Sequence, residues 1–234
     1  MSHYDADHLG GIEPVATAPG VTVGAAYDRG GPRTVKDSQT YRNYYDWVTS
    51  AGLRHSVEIG DTFTLCSGAD KVTFTVLSAG TDGTAAGGVA VTEENDRGLC
   101  VKVEFGDFDL ATCGDINGTD AGSRTDVESA TSAAMGDVEV AKVNHHGSSF
   151  SSNATWVNTL NAEASVVSVG KNAFGHPSAA VLAAWAATGT VFQTQSAADN
   201  AMIDGTITVT TNGTTSFQVT ASHSTKTVSG GVSP

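Results

Sequence analysis

Three strand-like runs in this chain end abruptly on residues of types that bind metals or move protons. Residues 108–113 run into Gly114-Asp115, and residues 138–143 run into Asn144-His145-His146-Gly147-Ser148. Residues 164–169 run into a loop that carries His176. Each run has the length and composition of a strand. Ligand-type residues at several strand ends point to one composite site, because folds assemble sites on the loops where elements end. The chain therefore reads as a single α/β domain in which those ends meet.

The remaining segments fit that frame. Residues 38–51 place Tyr41, Tyr44, Tyr45 and Val48 at helical spacing, with Ser38 as the cap and Gly52 as the stop. Residues 153–160 and 178–187 read as helices, and polar residues 119–132 have weak helical character. Strands are expected at 21–26, 56–59, 63–66, 72–77, 99–105, 191–194, 203–210 and 216–220, with a Gly-rich loop at 81–88. The domain is expected to span 1–221, and the Ser/Gly/Thr-rich 222–234 to be a flexible tail. A two-residue turn at Gly106-Asp107 sets Cys100 opposite Cys113. They are then either disulfide-bonded or two small core residues, and Cys66 is expected to be a buried free thiol.

The 12 basic residues are outnumbered by 25 acidic ones, giving a net charge of −13. No Lys/Arg cluster stands out, so the chain lacks the basic footprint of nucleic-acid backbone binding. A bound metal or a local patch remains a route to an anionic substrate. Only 16% of residues are charged, and Ser, Thr, Asn, Gly and Ala abound. That surface suits an exported, extracytoplasmic bacterial protein. No run reaches membrane-spanning length, and no signal peptide is visible ahead of residue 3.

His3, Asp5, Asp7 and His8 fall within six residues. Taken alone, such a cluster has a bland reading as a solvated polar terminus. Two carboxylates and two imidazoles brought together need a positive charge among them, and a divalent cation accepts both ligand types. Gly10-Gly11 then permits a tight turn into a helix.

His3-Tyr4-Asp5-Ala6-Asp7-His8-Leu9-Gly10-Gly11 resembles the His-x-Asp-x-Asp-His-x-Gly-Gly motif of the metallo-β-lactamase domain in ComEC-like competence proteins. The hairpin ending in Thr112-Cys113-Gly114-Asp115 resembles that family's Thr-Gly-Asp ending. Residues 143–148 resemble its Val-Pro-His-His-Gly-Ser segment, with Asn144 in place of Pro. Residues 167–178 are similar to its Ser-Val-Gly-x-Asn-x-x-Gly-His-Pro-Ser segment. The resemblance covers nearly the whole chain in the family's order. The family's first strands, with a Val-Gly-Gln-Gly-Asp-like segment, are absent, and the start is expected to be truncated.

The resemblance implies an αββα sandwich lacking its first strands and a site for two divalent ions, Zn²⁺ or Mn²⁺. His3 and Asp5 would bind one ion and Asp7 and His8 the second, with Asp115 bridging. One of His145 and His146, not separable from sequence, would complete the second site. The first site lacks the superfamily's additional His. Asn95 stands at a plausible position as a weaker ligand, so this site is expected to be the weaker one. The implied activity is hydrolysis of a phosphodiester, either nucleic acid or a small molecule. Asp7 would orient the attacking water, His176 would contact substrate or protonate the leaving group, and Lys171 and Asn172 would hold an anion. β-Lactam or lactone hydrolysis is the less favoured hydrolase reading. The alternative outside enzymes is a non-catalytic binding or scaffold protein with a degenerate metal site.

Overall fold

The structure, a computed structural model, describes residues 1–31 and 38–232. Helices α1 (Ala6–Leu9) and α2 (Ile12–Ala16) lead to strand β1 (Ala26–Asp28) and helix α3 (Gln39–Ser50). Strands β2 (Arg54–Ser56), β3 (Thr62–Leu65), β4 (Val72–Ser78), β5 (Cys100–Phe105) and β6 (Phe108–Cys113) follow. Helices and strands then alternate through α4 (Val127–Met135), β7 (Val140–Lys142), α5 (Ala154–Leu160), β8 (Ala164–Val167), α6 (Ala179–Ala186) and β9 (Thr190–Gln193). Strands β10 (Ile207–Thr211), β11 (Phe217–Ala221) and β12 (Thr227–Gly230) close the chain.

The helices start where side chains can cap them. Ser38, Asp126, Asn153 and Ser178 each accept from the backbone N–H three residues on. Such caps contribute roughly 1 kcal/mol each.

Seven strands form one mixed sheet in sequence order, β3 to β9. It is antiparallel from β3 to β6 and parallel from β6 to β9. Alternating side chains give the sheet two buried faces. Ala111, Ala141 and Val167 pack with Trp156, Leu160 and Trp185 of the helices. On the other face, Phe108, Val140, Ala164 and Phe192 pack against Phe217 and Val219 of the three-stranded sheet β10-β11-β12. The result is a mixed α/β fold with helices on one face and a second sheet on the other. Among the described residues, no helix is long and apolar enough to cross a membrane.

Several segments differ from the sequence reading. Residues 222–232 are not uniformly loose: β12 pairs with β11, and Val228 joins the core beside it. Alternation of small β-formers carries this strand, a signal hidden by its Ser/Gly/Thr-rich surroundings. Residues 233–234 of the expected tail lie outside the described residues. The strand expected at 21–26 begins only at Ala26, where Arg54–Ser56 supplies a parallel partner. Cys66 is exposed, not buried, because it sits in the left-handed turn after β3 with φ 60°. Cys100 and Cys113 are directly paired across β5 and β6 and are disulfide-bonded.

Because β6, β7 and β8 are parallel neighbours, their carboxyl ends share one edge of the sheet. That edge is where α/β sheets normally hold ligands.

Candidate metal centre

The N-terminal segment lies against this edge. Leu99 N donates to Ser2 O at 2.8 Å, which fixes Ser2 and His3 beside the end of β6. Gly114 makes the approach sterically possible. A Cβ there would come within 2.7 Å of Ser2 Cβ and 2.9 Å of His3 Nδ1. Tyr4 is the anchor between the first two candidate ligands. Its backbone N donates to Glu94 Oε1 at 2.8 Å, its hydroxyl donates to Gly30 O at 2.8 Å, and the Arg29 guanidinium stands 4.2 Å from its ring centre. The paired histidines are aimed by backbone strain. His145 and His146 have φ of 50° and 53°, consecutive left-handed residues of a kind that costs about 1–3 kcal/mol each and collects at functional sites.

Asp7, His8, Asp115 and His146 present ligand atoms all within 4.8 Å of one another, a group able to hold a metal ion. His8 Nε2 lies 3.2 Å from His146 Nε2, 3.3 Å from Asp115 Oδ2 and 3.6 Å from Asp7 Oδ2. His146 Nε2 lies 3.2 Å from Asp7 Oδ2 and 3.4 Å from Asp115 Oδ2. Tetrahedral zinc, with bonds of about 2.0–2.1 Å, spaces its ligand atoms about 3.3–3.4 Å apart. The donor types fit, and the spacings that involve His8 or His146, 3.2–3.6 Å, are close to that value. His146 Nδ1 is held 2.7 Å from Ser168 O, so it donates there and turns Nε2 toward the cluster. This separates the two histidines: His146 joins the cluster and His145 does not.

The electrostatics of the cluster call for positive charge. Hydrogen bonds to Asp115 and then Asp7 push the His146 imidazole up to about 10. The bond from His146 holds Asp7 down at about 2. Burial works against Asp115, but bonds from His146 and His8 overcome it and keep that carboxyl far below its ordinary range.

His3 and Asp5 lie alongside. His3 Nε2 is 3.8 Å from Asp5 Oδ2, and its ring centre is 4.1 Å from that of His8. His3 is fully buried, yet its Nε2 makes no hydrogen bond among the described residues, and neither does Asp115 Oδ1 or Asn95 Oδ1. Burial first, and His8 second, pull the His3 imidazole down to about 4. His145 faces this side. Its Nδ1 is 3.2 Å from Asn117 Oδ1, and Asn117 Nδ2 in turn donates to buried Asp96 at 2.8 Å. That chain leaves His145 Nε2 as the acceptor, 3.4 Å from Asn95 Nδ2 and 4.0 Å from Asp115 Oδ2.

A cleft of about 890 Å³ opens over these groups. Lys171, Asn172 and His176 all line it. The Asn172 side chain is already engaged with its own loop: it donates to Gly170 O and His176 O and accepts from Phe174 N and His176 N. It therefore shapes the cleft, whereas Lys171 is an exposed residue of its lining. The His176 ring centre is 5.2 Å from that of His145, and burial followed by the charge of His146 lowers its pKa.

Sequence reasoning missed Arg124, Phe150 and Phe174 on the cleft walls, and the buried Glu128. Glu128 accepts from Asn144 Nδ2, Ser152 N and Asn153 N, tying the His145-His146 turn to the start of α5. Only an acid on the apolar face of a weak helix pattern advertised it.

No protein-family model matches this chain, and no curated protein is significantly similar to it.

Proposed function

We propose that this chain is a metal-dependent hydrolase of metallo-β-lactamase type that cleaves a phosphodiester. The observation that carries this is the Asp7–His8–Asp115–His146 cluster at the carboxyl edge of parallel strands, open to a large cleft. Its mixed nitrogen and oxygen donors suit Zn²⁺ or Mn²⁺. The buried, unpartnered atoms of His3 and Asp115, with Asp5 beside them, support a second and weaker position that His3, Asp5 and Asp115 would hold.

A divalent ion bound there supplies Lewis acidity, easing deprotonation of water and offsetting charge on a phosphoryl oxygen. The protein's own groups do the placing. Asp7 has a side chain 63% exposed toward the cleft and a depressed pKa, so it orients water as a charged acceptor. His176 faces substrate and carries the proton exchanged with the leaving group. Lys171 balances anionic charge at the mouth. The Cys100–Cys113 bond favours an oxidising compartment, in keeping with an exported protein.

The test is metal content together with hydrolysis of bis(p-nitrophenyl) phosphate. Activity that requires one or two bound ions, and that disappears with them in Asp115→Ala, is the expected result. A folded, metal-replete protein inert toward every phosphodiester offered would instead make it a binding or scaffold protein.

A further inference from the structure

The cleft is walled by acids, among them Asp5, Asp7 and Glu93. Lys171 and Arg124 stand among them on the cleft wall. Arg124 is held in place. Its guanidinium carbon stands 3.9 Å from the Phe150 ring centre, and Nε is 4.0 Å from Glu93 Oε2, near enough to feel the charge and too far to hydrogen-bond. That Nε is buried and makes no hydrogen bond among the described residues. With its side chain 31% exposed, Arg124 still reaches the cleft. A guanidinium seated over a ring can still offer its planar fork to two oxygens of one anion.

The rim also carries Phe174, which is 82% exposed. Its loop is not loose, because the four hydrogen bonds of Asn172 brace the backbone on either side of it. The ring is stacked with His176 at 5.9 Å and an interplanar angle of 27°. A large apolar ring fixed in water at the mouth of a cleft is a surface for another flat ring.

We propose that the cleft takes a short phosphodiester carrying a nucleobase or similar planar aromatic group. The ring stacks on Phe174 and the anionic oxygens meet Arg124. This rests on the hydrolase reading above and narrows its substrates. A net charge of −13 and a single braced ring favour a mononucleotide-sized unit over a long strand, which needs an extended basic track.

The experiment measures calorimetric binding of thymidine 5′-monophosphate and of deoxyribose 5-phosphate to the full chain. The two probes share a phosphate and differ in the base. The nucleotide is expected to bind roughly ten-fold tighter. Phe174→Ala should erase that preference, leaving the sugar phosphate affinity and the melting temperature unchanged. Arg124→Gln should weaken both ligands, and Arg124→Lys should restore part of the loss. Equal binding by the wild type, a preference that survives Phe174→Ala, or indifference to Arg124→Gln overturns the proposal. So does a long oligothymidylate that displaces the mononucleotide with steep salt dependence. The two readings fail separately. Base preference without hydrolysis of any diester removes the hydrolase and leaves this site, while hydrolysis without base preference does the reverse.

Discussion

His8 Nε2 and His146 Nε2 lie 3.2 Å apart although 138 residues separate them in the chain. Ser168 O engages the far nitrogen of His146 and Ser2 Oγ that of His8, so both rings turn the same atom inward. Two imidazole nitrogens facing each other between carboxylates make a group that could hold a divalent cation. Zn²⁺ or Mn²⁺ at a hundred times its Kd should therefore stabilise the fold by about 2.7 kcal/mol. For a chain of this size that raises the melting temperature by roughly 5–10 °C. Thermal denaturation with and without chelator reads the shift, and His146→Ala should remove it. A wild-type melting curve indifferent to every divalent ion tried would sink the metal assignment.

Arg29 and Glu94 form a buried pair, with Arg29 Nη2 2.9 Å from Glu94 Oε2, and the same carboxylate holds Tyr4 N between His3 and Asp5. Glu94→Met leaves Arg29 buried without its countercharge and should cost about 3–5 kcal/mol. Arg29→Met combined with Glu94→Met should recover most of that stability. Metal affinity should stay about ten-fold or more below wild type in both, because Tyr4 N has still lost its acceptor. Chemical denaturation and metal titration of the wild type and the two variants separate the two effects.

Burial raises the Glu128 carboxyl to about 7 from an ordinary 4.5. The folded state therefore holds a proton that the unfolded state has lost between those values. Stability from this group is complete below about pH 4.5 and is lost as pH rises through 7. The margin of wild type over Glu128→Gln should shrink by up to about 3 kcal/mol from pH 4.5 to 8. Denaturant midpoints across that range check it, and a margin that widens instead reverses the sign of the argument.

The parts of this site legible in sequence are those whose chemistry stands at element ends. Asp115, His146 and the residue 3–8 cluster follow or precede clear strand and helix signals, and the cross-strand position of Cys113 follows from the Gly106-Asp107 turn. What escaped notice depends on distance across the fold. Arg124 acquires meaning only when Phe150, 26 residues on, slides beneath its guanidinium. Glu94 is one more acid until Arg29 and Tyr4 close on it. The His145/His146 ambiguity had to persist, since left-handed backbone at both residues, and not their order, decides which ring meets Asp7. The strand β12 was obscured for a different reason: a composition typical of loose tails pairs well once β11 offers an edge.

Lys142 lies on β7, three residues before His145, with Nζ buried and making no hydrogen bond among the described residues. Burial lowers its pKa, while Asp115 and Asp7 pull the other way. An ammonium without hydrogen bonds in the interior costs more than its distant attraction to those carboxylates returns. Lys142→Met keeps the unbranched stem and removes the charge, so it should stabilise the protein by about 1–3 kcal/mol near neutral pH. The sign with pH follows from the depressed folded-state pKa. The unfolded chain binds the extra proton, so wild-type stability climbs as pH rises toward the ordinary lysine value of 10.5, and the advantage of Met fades. Melting temperatures of both proteins from pH 6 to 10 test this. A Met variant that melts lower at pH 7 would mean that Lys142 supports the acidic cluster rather than burdening the core beneath it.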